Sequence, residues 1–116
     1  MANDNILCVD DDYQFTWLLS KSNLLEQTRG YRLEDIGEVV LSGGIPVAWV
    51  PPPDKYSHQS RGVFKLSGEF YTLATADCRD VPGYERLITY FGSNDQDIDR
   101  YYQQYGRKEE WETEDK

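Results

Sequence analysis

The chain has 116 residues, enough for one domain with its own core and too few for two. It carries 12 Lys and Arg against 21 Asp and Glu, a net charge of −9, which disfavours direct binding to nucleic acid or to an anionic membrane. With 39% hydrophobic and 14% aromatic residues it can bury a core, so wholesale disorder is not expected.

The first apolar run, residues 5–9 (NILCV), reads as a short strand. Asp11 to Gln14 then has the form of a capping box. Phe15, Leu18, Leu19, Ser22 and Leu25 follow at helical spacing, broken once by Ser22, and Arg29 with Gly30 suits a helix end. The pattern predicts a helix over 12–28. EVVL (38–41) and IPVAWV (45–50) are strand-type runs joined by Ser42-Gly43-Gly44, and Pro46 points to a sheet edge, because it cannot donate to a ladder. A polar segment with three prolines, residues 51–62, is long for a loop, and long loops are often functional. VFKL (63–66) and EFYTLATA (69–76), joined by Ser67-Gly68, form a second hairpin pattern.

Pro82 suits a first helical turn. Tyr84, Leu87, Ile88 and Phe91 then fall at i, i+3, i+4 and i+7, and Gly92 ends the run. Ile98, Tyr101, Tyr102 and Tyr105 repeat the spacing up to Gly106, with Ser93, Asn94 and Asp95 available as caps. Residues 107–116 hold one apolar side chain, Trp111, among charges, and read as a flexible tail. The expected fold is α+β: one domain over 1–106, with an antiparallel sheet of about four strands in two hairpins. An N-terminal helix and two C-terminal helices would lie on one face.

The negative charge is local. Asp4, Asp10, Asp11 and Asp12 fall in the first twelve residues with no base; Asp95, Asp97 and Asp99 do the same in 93–99; the tail supplies the rest. In the string ILCVDDD, the strand and its acidic pair resemble the start of two-component receiver domains. There such acids bind Mg²⁺, and the following helix and the chain length also fit. The resemblance covers about 5–28. Beyond it the chain lacks a phosphoacceptor Asp ending a central strand and a Lys-Pro pair, and its apparent hairpins contradict parallel βα alternation. The plainer reading makes Asp10 to Asp12 a strand exit and helix cap. Asp95, Asp97 and Asp99 match the first half of a calcium loop, but Arg100 and Gly106 stand where an EF-hand needs Gly and a bidentate Glu.

Two cysteines, Cys8 and Cys78, and one histidine, His58, make neither a disulfide framework nor a zinc signature. Cys8 reads as a buried strand thiol. Cys78, beside Arg79, reads either as a reactive thiol or, more plainly, as a semi-buried free one. The chain start has no basic stretch of a signal peptide, so a reduced, cytoplasmic setting is expected. No catalytic or nucleotide-binding motif is present; an enzyme reading would rest on Tyr56, His58, Arg61, Cys78 and Arg79 converging in a pocket. The reading that fits best is a non-enzymatic regulator or inhibitor without cofactor or bound metal. Its partner would be a protein with a basic surface, in one version a nucleic-acid-binding protein, by analogy with phage or plasmid anti-defence proteins. Asp10, Asp11, Asp12, Asp95, Asp97, Asp99, Tyr101, Tyr105 and Trp111 are its expected contacts. The alternative is a divalent-ion or degenerate receiver-like signalling module on the same two Asp clusters.

Overall fold

The computed structural model describes residues 6–106; Asp4 and Trp111 lie outside the described residues. The elements run β1 (Leu7–Asp10), β2 (Phe15–Leu18), α1 (Leu19–Arg29), α2 (Leu33–Leu41), β3 (Ala48–Val50), a 3₁₀ turn (Asp54–Tyr56), β4 (Ser60–Leu66), β5 (Glu69–Asp77), β6 (Glu85–Gly92) and α3 (Asp95–Tyr105). One six-stranded mixed sheet has the order β1-β2-β6-β5-β4-β3, with β2 and β6 parallel and every other pair antiparallel. The expected four-stranded antiparallel sheet is therefore corrected to six mixed strands, and the helices are divided between the two faces.

Three local causes account for the difference. First, the capping box is a hairpin turn. The Asp10 carboxylate accepts from the N–H groups of Asp12 and Tyr13, and Gln14 takes a left-handed φ of 58°, so the chain reverses. Phe15 and Thr16 then bury on opposite faces of β2, and the helix begins only at Leu19. Its end is as expected: Gly30 has φ 95° and its N–H donates to the Glu26 carbonyl.

Second, the run at 38–41 is the last turn of a helix. Leu33, Ile36, Gly37 and Val40 are the buried stripe of α2, and Glu34 and Asp35 favour the positive end of its dipole. Gly37 lets α2 lie close on the sheet; a Cβ there would overlap Leu87. Of the run 45–50 only Ala48–Val50 pairs, as an edge strand just after Pro46.

Third, the run after Pro82 is a strand whose period is disguised. A bulge shifts the register between Ala74 and Thr75, so Tyr90 pairs with Leu73 and Leu87 pairs with Thr75. Leu87 and Tyr90, three residues apart, thereby share one face, which imitates helical spacing. The second hairpin is as expected, with both loop residues left-handed (Ser67 φ 52°, Gly68 φ 83°). So is α3, capped by Asn94, whose side chain accepts from the Asp97 N–H at 2.8 Å, and ended by Gly106.

Helices α1 and α2 seal one face of the sheet over Phe15, Leu33, Ile36, Phe64, Leu73, Leu87 and Tyr90. Helix α3 lies on the opposite face, over Ala48, Val50, Val63 and Phe70. It packs mainly on β3 and β4, and Tyr101 and Tyr102 reach Phe70 at the start of β5.

Candidate functional site

The strand register builds an acidic row. Asp10 pairs with Phe15, Phe15 with Glu85, and Glu85 with Asp77. These four residues therefore line one end of the sheet on one face, at about 4.8 Å per strand. Asp11 and Asp12 project from the adjoining turn, and Asp80 lies in the loop before β6. Among the described residues none of these six carboxylates is in an ion pair. Glu85 directly opposite Asp77 is unfavourable, because like charges on facing strands repel.

Hydrogen bonds hold this end in shape. The Tyr84 hydroxyl donates to Asp11 at 2.8 Å, and the Cys78 N–H donates to the Tyr84 carbonyl. The Tyr84 phenol has its pKa raised, first by that bond and then by desolvation and the charges of Asp11 and Asp10. Tyr13 and Val9 stand exposed beside the acidic turn.

The second acidic segment is elsewhere. Asp10–Asp12 flank the start of β6, whereas Asp95, Asp97 and Asp99 follow its end, about 23 Å away at the usual rise per strand residue. Asp95 and Asp97 occupy the first turn of α3. The structure thus separates the two clusters. The β1–β2 hairpin also departs from the strand–helix start of a receiver. Among the described residues no three His, Cys, Asp or Glu side chains are grouped to hold a metal ion. Of the expected aromatic contacts, Tyr101 is buried in the α3 core with its pKa raised by that burial, while Tyr105 is partly exposed and its hydroxyl donates to the Val47 carbonyl.

The residues of the enzyme reading divide between two places. His58, Cys78 and Arg79 line a cavity of about 440 Å³ with Arg86, Asp77 and Asp80. Cys78 is buried and its sulfur accepts from the Thr16 hydroxyl at 3.3 Å; Cys8 is only partly buried. Arg61 instead stacks on Tyr56 beside a different cavity. No nucleophile–base hydrogen bond joins His58 to Cys78 or Ser57 among the bonds of the described residues.

Sequence reading missed Asp77, Asp80, Glu85, Tyr13 and Tyr84 as parts of the acidic end. Asp77 and Glu85 become neighbours only through the β5–β6 register, so no local signal marks them. Compared with known family models, curated proteins and solved structures, the chain has no match. No helix among the described residues is long and apolar enough to cross a membrane.

Proposed function

We propose that this protein is a small interaction protein, a regulator or inhibitor, that docks the acidic end of its sheet on a basic surface of a protein partner. The observation that carries the reading is the row Asp10, Glu85, Asp77, in which Glu85 and Asp77 face each other and, among the described residues, none of these carboxylates is in an ion pair. Proteins break a local stability rule of this kind chiefly at functional sites. Clustered carboxylates would steer a basic partner and set the register, while exposed Tyr13 beside the turn supplies an aromatic anchor. A nucleic-acid-binding protein is the narrower form of the partner.

The test compares captures from lysate by the full chain and by two variants, at low and high salt. The reading expects a nuclease-insensitive, salt-sensitive protein that Asp11→Asn/Asp77→Asn/Glu85→Gln loses and Asp95→Asn/Asp99→Asn retains. Displacement of that protein by heparin or duplex DNA would identify its nucleic-acid site as the surface engaged. Equal capture by wild type and the first variant would overturn the reading.

A further inference from the structure

The α3 face holds a second cavity, of about 290 Å³, between the first half of α3 and Pro51–Pro53. Arg61 from β4 and Arg100 from α3 both line it, opposed by a single carboxylate, Asp97. In a chain of net charge −9 this is a locally positive pocket. Among the described residues neither guanidinium has a carboxylate within ion-pair distance.

Arg61 is held in place without being neutralised. Its guanidinium carbon lies 5.4 Å from the Tyr56 ring centre and 5.5 Å from that of Phe91. Cation–π contacts of this kind restrain the guanidinium and leave its N–H donors to a ligand. Its Nε is buried with no acceptor, so the terminal nitrogens are the atoms through which an anion must act. The positive end of the α3 dipole adjoins the cavity through Asn94 and Gln96. Pro51, Pro52 and Pro53 have no N–H and give a stiff wall without donors.

We infer that this cavity binds a phosphate group, either free or as a small phosphomonoester, between the guanidinium groups of Arg61 and Arg100. Two forks present more donors than the two oxygens of a carboxylate can use, whereas a tetrahedral phosphate can serve both at once. The prolines would flank the ester carbon chain. The site is separate from the acidic row, and its occupancy does not depend on the partner reading above.

Binding is measured by calorimetry on the full chain at constant ionic strength, with inorganic phosphate, glycerol 3-phosphate and acetate as probes. Wild type is expected to bind at least one of the two phosphate probes. Arg61→Gln and Arg100→Gln should each weaken it about ten-fold or more. Arg86→Gln, in the other cavity, should leave it unchanged. If Arg61→Gln unfolds the chain, Arg100→Gln alone decides. Preference for inorganic phosphate or for the ester identifies the source of the group. No phosphate binding by wild type, undiminished binding by Arg100→Gln, or equal affinity for acetate would overturn the assignment.

Discussion

On the face covered by α1 and α2, most buried polar groups find partners, although Trp17 Nε1 is left without one among the described residues. Ser22, where the apolar stripe of α1 breaks, accepts from the Leu33 N–H at the start of α2 and donates to Glu34. Arg32 bonds Glu34 at 2.9 Å and Glu26 at 3.0 Å. The Tyr90 hydroxyl donates to the Tyr31 carbonyl and accepts from the Tyr31 N–H. On the α3 face and at the acidic end, Gln59 Oε1 and Arg61 Nε are buried without partners, and like charges face one another. Satisfied polar groups and dense packing mark the part of the molecule that specifies the fold. Uncompensated charge marks the part held for something outside it.

Breaking the sealed face should have the largest effect. Phe64→Ala removes a fully buried ring from its core and should lower unfolding free energy by about 3–5 kcal/mol in urea titrations. Ser22→Ala orphans the Leu33 N–H and should cost about 1–3 kcal/mol near pH 7. Its effect should shrink in acid. Desolvation pushes the Glu34 pKa up, but hydrogen bonds from Ser22, Arg32 and its own backbone, with the Arg32 charge, outweigh it and leave the pKa lowered. A lowered carboxyl contributes stability above its unfolded value, about 4.3. That contribution disappears as pH falls through the folded value. Urea midpoints of wild type and Ser22→Ala should therefore converge as pH falls below about 4.3, to within the cost of the Leu33 N–H.

The open face should respond much less. Arg61→Gln loses stacking on two rings but also removes an unneutralised charge, so its stability should change by less than about 1 kcal/mol. A loss as large as that of Phe64→Ala would place Arg61 among the groups that hold the fold and erase the contrast between the faces.

The legible parts of the sequence were those whose signal is local. Asn94 with Gly106 bounds α3, Ser67-Gly68 makes a two-residue turn, and Pro46 marks an edge. The errors have different causes, one distant in the chain and two local. The β5–β6 bulge gave Leu87 and Tyr90 a helical spacing, and Asp10 had turn chemistry that also suits a cap. The stripe of α2 shows only when Leu33 and Ile36 are counted with Val40. At the candidate site, Asp10 to Asp12 were visible as a cluster. Their association with Glu85 and Asp77 required the parallel β2–β6 pairing, which joins residues about seventy positions apart.

The central claim is that the acidic row is kept at some expense to the fold. The most direct measurement is urea unfolding of Asp77→Asn beside wild type at low salt. Removing one of two facing charges should raise stability by about 0.2–1 kcal/mol, and the gain should fade as salt screens the wild-type repulsion. A variant less stable than wild type would show that Asp77 holds the fold together, and would contradict the claim.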